Sequence, residues 1–290
     1  MSYQSMLTVL TKSGADDTAL TAQGLAAQTL GSAQDWATAE EAHLDVLCLG
    51  VDRSQAGYYY AGASAMVFNE TIQQASGEAQ ALEELARGRL EAGGALRWGV
   101  QGEVAQSADV GRAVAARARF ADLVVLARPY GAGRGMELES LIEGALFDGQ
   151  APVLVLPETS APPRADPRVV IGWNESAEAL NAVRAALPIL RRAHQVHVCV
   201  IDPAQHGPNR SDPGGLISQY LARHGVKVQV DVLSRSTPRV SDTLKRHITD
   251  TGADLLVMGA YGHSRFREAI LGGATRNMLE QAQVPVFMTH

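Results

Sequence analysis

The chain alternates short apolar runs with amphipathic stretches. In the C-terminal half, residues 168–172 are a β-branched run bounded by a polar turn, which predicts a strand. Over residues 176–193, Leu180, Val183, Leu187 and Leu190 fall on one helical face, and Pro188 is expected to kink the last turns. Further strands are expected at 196–201, 226–233, 255–258 and 285–289, with helices near 216–223 and 274–281. Thr237-Pro238 reads as a helix start, Thr as N-cap and Pro as first residue, ahead of Val240, Leu244 and Ile248 on one face. The N-terminal half follows the same order more loosely. Its strands are expected near 6–10, 44–51, 95–99, 123–126 and 153–156, with a long helical pattern through Leu82, Leu85 and Leu90. Alternation of strand and helix predicts an α/β fold: two tandem, doubly wound, mostly parallel five-stranded sheets with helices on both faces, Rossmann-like in architecture.

The two halves are copies of one unit. Ala121-Asp122-Leu123-Val124 recurs as Ala253-Asp254-Leu255-Leu256, and Gln150-Ala151-Pro152-Val153 as Gln283-Val284-Pro285-Val286. Nearly constant offsets mark a repeat. Cys48 and Cys199 each lie in an apolar run that ends in Asp, at Asp52 and Asp202. Pro162, Pro163 and Pro167 mark a semi-rigid linker. The expected organisation is a domain over 1–157, a linker over 158–167 and a domain over 168–290.

Composition narrows the classes. The 290 residues are 46% hydrophobic and 19% charged, enough apolar material for a core in each half. A net charge of -6 argues against a general nucleic-acid binder. No apolar run is long enough to span a bilayer, and residues 1–14 lack the basic and apolar regions of a signal peptide. Two cysteines in apolar runs read as core thiols of a reduced, cytoplasmic protein.

The informative segment runs from Gly259 to Thr275. It starts where a buried strand ends and finishes where a helix begins. In open α/β sheets, ligands bind beyond the carboxyl ends of the strands. Glycines there let backbone approach a phosphate, and a helix N-terminus offers unpaired N–H groups to an anion. Gly259, Gly262 and Gly272 are spaced by two and nine residues, and His263, Arg265, Arg267 and Arg276 lie within or beside the stretch. This spacing resembles the nucleotide-binding signature of the universal stress protein family, and the chain looks like a tandem member of it. The resemblance implies a stress-response regulatory protein that binds an adenine nucleotide, ATP with Mg as companion ion, in its C-terminal domain. No candidate base or metal carboxylate lies beside the glycine loop, so a non-enzyme is expected and a slow ATP hydrolase is the least favoured reading. It implies a site at Gly172, Trp173, Asn174, Val200, Met258, Gly259, Gly262, His263, Arg265, Gly272, Gly273, Ala274 and Thr275. It also implies an intrachain pseudo-dimer paired through strands 153–156 and 286–289, and a homodimer of chains. The sequence departs from the pattern twice: Asn174 stands for Asp, and Gly273 for Ser or Thr. A scaffold of the same fold that binds no nucleotide is the alternative.

The N-terminal copy is poorer in this chemistry. Ala127 stands where the first Gly is expected, and Glu139-Ser140 is read at the position of the final Gly pair, which would set a carboxylate at the phosphate position. The glycines from Gly131 to Gly135 lack dinucleotide spacing and read as a flexible loop. His194 and His197 read as surface or edge residues, not ligands, and no catalytic or metal-binding pattern is recognised. Tyr58-Tyr59-Tyr60 is an interface element or a lid over the sheet.

Overall fold

The computed structural model describes residues 2–12, 24–54, 65–131, 134–159, 161–203, 212–235, 237–260 and 273–290. The chain forms two compact units, Tyr3–Ala151 and Pro152–His290. In the first, the strands are β1 (Ser5–Thr11), β2 (His43–Asp52), β3 (Arg97–Gln106) and β4 (Leu123–Ala127), all parallel, in the order β3-β2-β1-β4. They alternate with α1 (Leu25–Glu40), α2 (Ala65–Glu91), α3 (Val110–Ala118) and α4 (Met136–Glu143). The second unit contains β5 (Val153–Leu156), β6 (Arg168–Trp173), β7 (Gln195–Ile201), β8 (Val228–Leu233), β9 (Leu255–Gly259) and β10 (Val286–Thr289). Its order is β8-β7-β6-β9-β10-β5, parallel except for the last pair. Its helices are α5 (Ala177–Arg192), α6 (Gly215–Arg223), α7 (Val240–Thr251) and α8 (Ala274–Gln281).

β5 joins β10 in antiparallel register, with Val155 opposite Val286 and Val153 opposite Met288. The two last strands therefore pair, as the resemblance implied. The second unit begins at Pro152, ahead of the expected linker, because β5 is hydrogen-bonded into its sheet. Pairing also covers two fully apolar strands that would be unsafe as exposed edges.

The helices lie on both faces of the C-terminal sheet. A Cβ on Gly172 would meet Leu244 of α7, whereas one on Gly259 would meet Ala179 in the first turn of α5. Met258, the register partner of Gly172, is the neighbour of Gly259, so the two glycines face opposite ways. Phe287, Met6, Leu44 and Leu123 are fully buried in the respective cores. Each such side chain contributes about 1.5–3 kcal/mol through burial. Cys48 and Cys199 are free and buried, as their apolar runs suggested. Burial pushes both thiols up to about 12.

The repeated Ala-Asp-Leu has a local cause. Asp122 Oδ2 accepts from the N–H groups of Gln4 and Ser5, at 2.7 and 3.1 Å. Asp254 Oδ2 accepts from Arg168 N–H at 2.8 Å. In both copies this carboxylate ties the start of the fourth strand to the start of the first.

The helix start expected at Thr237-Pro238 lies further on. α7 begins at Val240 with Arg239 as N-cap, because Thr237 Oγ1 bonds the Arg239 carbonyl and Thr243 Oγ1, both at 2.9 Å, instead of a helical N–H. Gly135, read as part of a flexible loop, is the N-cap of α4. β3 is longer than expected, a ten-residue strand that starts two residues later. Tyr58, Tyr59 and Tyr60 lie outside the described residues.

Candidate nucleotide site

The carboxyl ends of β6, β7 and β9 meet in register. Gly172 lies opposite Cys199 on one side and Met258 on the other, and Trp173 lies opposite Val200. Gly259 follows Met258 and pairs with Thr289. The described strand residues of the expected site, Gly172, Trp173, Val200, Met258 and Gly259, are thus gathered at one end of one sheet. Val200 and Met258 are buried, while Trp173 is half-buried.

Past Trp173 the chain turns sharply. Asn174 Oδ1 accepts from Ser176 N–H at 3.2 Å, and Glu175 takes a left-handed conformation at φ 63°. Ser176 then caps α5, its Oγ accepting from Ala179 N–H at 3.1 Å. Asn174 therefore serves a turn that seats the first helix. A Cβ on Gly259 would stand 2.6 Å from Ala179 N, so glycine there is needed for β9 to pass under α5.

α8 starts at Ala274 with Gly273 as N-cap. Gly273 has φ -54° and ψ 155°, an ordinary extended conformation open to any residue. No side chain caps it, and no acidic residue lies in the first turn. Thr275 is buried at the second helical position. Gly262, His263, Arg265 and Gly272 lie outside the described residues.

A cavity of about 610 Å³ opens beside this end of the sheet, between α5 and α6. Trp173, Ser176 and Gly214 line it near the strand ends, and Arg184 and Tyr220 line it further along. Its volume lies within the roughly 300–1,000 Å³ of small-ligand sites. Gly214, at φ 86°, is the N-cap of α6, and a Cβ there would crowd Val230 and Val200.

Residues 167–290 match the universal stress protein family. That match spans the C-terminal domain from just before β6 through the end of β10. Over 92 residues the chain is 29% identical to a universal stress protein of Synechocystis sp., an alignment that spans 32% of this chain and 31% of that protein. The chain also resembles the crystal structure of a universal stress protein from Archaeoglobus fulgidus DSM 4304, with TM-score 0.66 and 18% identity over 98% of this chain and 96% of that one. A functionally unknown protein from Pseudomonas aeruginosa PAO1 gives TM-score 0.55 and 14% identity over 98% and 92%. At such identities the likeness concerns the fold, and it extends the universal stress protein fold to both halves. Among the described residues, no helix is long and apolar enough to cross a membrane.

The same end of the N-terminal unit is built differently. Arg53, just past β2, donates from Nε to Glu137 Oε1 at 2.7 Å and from Nη1 to Glu78 Oε2 at 3.0 Å. Its Nη2 reaches the Lys12 carbonyl, after β1, at 2.7 Å. Glu137 is the second residue of α4, the place that Thr275 holds in α8. A carboxylate therefore does sit at the helix start in this N-terminal copy, but it is Glu137, bound by Arg53. Glu139 lies further into the helix and accepts from Tyr130 OH at 2.7 Å. The expected match of Glu139-Ser140 to the glycine pair fails because α4 starts earlier relative to the strands than α8 does.

A second cluster was not anticipated. His197 is not an edge residue: β7 is an inner strand, and the His197 side chain is 14% exposed. Its Nδ1 lies 2.7 Å from Asp231 Oδ2, and His247 Nε2 lies 3.1 Å from the same oxygen. Burial opposes ionisation of Asp231, yet hydrogen bonds from Gln229 and His197, with the two imidazoles nearby, outweigh it and hold the carboxyl below the usual carboxylate range. The three residues come from two strands and a helix, so no short sequence motif marks them. The only signal in sequence is a histidine within an otherwise apolar strand.

Proposed function

We propose that the C-terminal domain binds an adenine nucleotide, ATP, and that the chain acts as a stress-response regulator through the bound or empty state of this domain. The observation that carries the reading is the charge contrast at the two equivalent helix starts. α4 meets its own carboxylate, Glu137, while α8 has no acidic residue in its first turn. A helix N-terminus without a carboxylate favours an anion such as a phosphate. The residues present fit the ligand: Gly273 and Ala274 lead into the first turn, Thr275 follows, and Trp173 and Val200 pair at the strand ends. Mg would be held chiefly by phosphate oxygens and water, as is usual for this ion. The role needs binding and release, not bond cleavage, and no general base is assigned. A native mass spectrum of the purified chain tests the reading. An adenine nucleotide at one copy per chain is the expected result; a chain that carries none and takes up none from added ATP contradicts it.

The scaffold alternative is favoured by one pair of observations. Gly259 and Asn174 each have a structural task, under Ala179 and in the turn before Ser176, that needs no ligand. On that reading the chain would act through protein contacts, as an intrachain pseudo-dimer or a homodimer, whether or not nucleotide is present.

A further inference from the structure

We propose that His197, Asp231 and His247 form a binding site for a divalent transition-metal ion of zinc-like chemistry, separate from the nucleotide site. The three side chains converge from β7, β8 and α7, and their ligand atoms lie within 4.8 Å of one another. Two imidazole nitrogens and one carboxylate oxygen make a borderline donor set. Such a set suits zinc, cobalt or nickel, whereas magnesium and calcium prefer all-oxygen cages.

Two of the three ligand-to-ligand spacings approach those of a loaded site, and the third is at most 4.8 Å. Around a tetrahedral zinc with bonds of about 2.0–2.1 Å, neighbouring ligand atoms stand about 3.3 Å apart. Here His197 Nδ1 and His247 Nε2 stand 2.7 and 3.1 Å from Asp231 Oδ2. A small outward movement of the imidazoles makes room for an ion. His247 Nε2 is buried and, despite its distance from Asp231, makes no well-directed hydrogen bond. An ion between the three would give that nitrogen a well-directed bond. The second oxygen of Asp231 is already oriented, since Oδ1 accepts from Gln229 Nε2 at 2.7 Å. Outer-shell bonds of this kind hold a ligand carboxylate in place. His197 and Asp231 are each 14% exposed, which leaves a route for the ion from solvent.

The site lies on the sheet face opposite Val200. His197 and Val200 are an odd number of residues apart on β7, so they face opposite sides of the sheet. Three protein ligands leave a coordination position for water. The ion would bridge β7, β8 and α7, so binding should stabilise the folded chain by mass action.

The test uses the full chain, stripped with a chelator and titrated with Co²⁺ in the presence of excess Mg²⁺. One Co²⁺ per chain, with the visible absorption of a tetrahedral site, displaced by Zn²⁺ and accompanied by a rise in Tm, is the expected result. His247→Gln and His197→Gln should each weaken binding by more than about a hundredfold, beyond the roughly 10–100-fold loss typical of outer-shell partners. Gln229→Ala should weaken it less, and His224→Gln, a histidine near Arg191 and Tyr220, should leave it unchanged. Circular dichroism of each metal-free variant keeps loss of folding distinct from loss of binding. No Co²⁺ bound by the folded parent chain, or binding that survives both His197→Gln and His247→Gln, overturns the proposal.

Discussion

The two copies agree at the amino ends of their strands and diverge at the carboxyl ends. Asp122 and Asp254 make the same tie from the fourth strand to the start of the first. At the other end, the N-terminal unit pairs Arg53 with Glu78 and Glu137 and ties it to the Lys12 carbonyl. The C-terminal unit has Asn174, Val200 and Gly259 at this end, and Thr275 where α4 has Glu137, with no acidic residue in the first turn of α8. In an α/β sheet the amino ends serve the fold, and the carboxyl ends carry binding. The carboxylate of Glu137, held by the guanidinium of Arg53, gives α4 the negative charge that its N-terminus favours, and on the proposed reading the pair stands where a ligand would sit.

The largest effect is expected where the network is broken. Arg53→Met leaves Glu78, which is 7% exposed, and Glu137, 14% exposed, without their cation. The loss should be about 2–3 kcal/mol, below that for a fully buried pair because Arg53 is itself 35% exposed. Urea unfolding measures it. A change under half a kcal/mol, on the order of a surface pair, would show that the network does not hold the N-terminal mouth together.

Gly259→Ala sharpens the comparison from the other side. Its Cβ would press on the backbone of Glu178 and Ala179, and the strain should cost about 1–3 kcal/mol. The reverse change at the corresponding place, Ala127→Gly, lacks that clash and should cost only about 0.5–1 kcal/mol. If the two variants unfold at the same urea concentration as the parent, the close approach of α5 over β9 is wrong.

Cys48 and Cys199 test what the copies share. Burial raises both thiols from 9.0 to about 12. The folded state then holds the proton more tightly than the unfolded chain. The stability this contributes is fully present below pH 9 and is lost as pH rises towards 12. Both thiols should be inert to a thiol reagent at pH 8 and should react together on unfolding. Fast labelling of one alone would break the equivalence of the two cores.

Most of the second half was legible because its strands are short, apolar and bounded by turn residues. α8 falls where the periodicity put it, over Ala274–Gln281. α1 was not read, because its buried face is Ala26, Ala27, Ala33 and Ala37, small residues whose periodicity is faint, with only Leu30 and Trp36 as large apolar members. The start of α7 was misplaced because Thr237-Pro238 has the right chemistry for a cap, but the hydroxyl is used elsewhere. The Arg53 network and the His197 cluster could not be read, since each joins residues far apart in sequence that only the sheet brings together. The match of the glycine pair to the N-terminal half was set five residues off: Gly135, not Ser140, is the N-cap that corresponds to Gly273.

Gly273→Ser should have the smallest effect. Gly273 is an N-cap at φ -54°, so serine meets no backbone strain and should add a few tenths of a kcal/mol to stability. At a phosphate-binding helix start it should also tighten ATP binding, by up to about tenfold, less than the best charged hydrogen bonds provide. Thermal unfolding without ligand separates the two effects. A destabilised variant would contradict the conformation at this cap.

The central claim, one nucleotide-binding mouth and one filled by its own side chains, is tested most directly by calorimetric titration of the full chain with ATP and Mg²⁺. The account predicts a single site per chain, unchanged in stoichiometry by Arg53→Met if that variant remains folded. Two equivalent sites would contradict the closed N-terminal mouth, and no heat of binding at millimolar ATP would contradict the open C-terminal one.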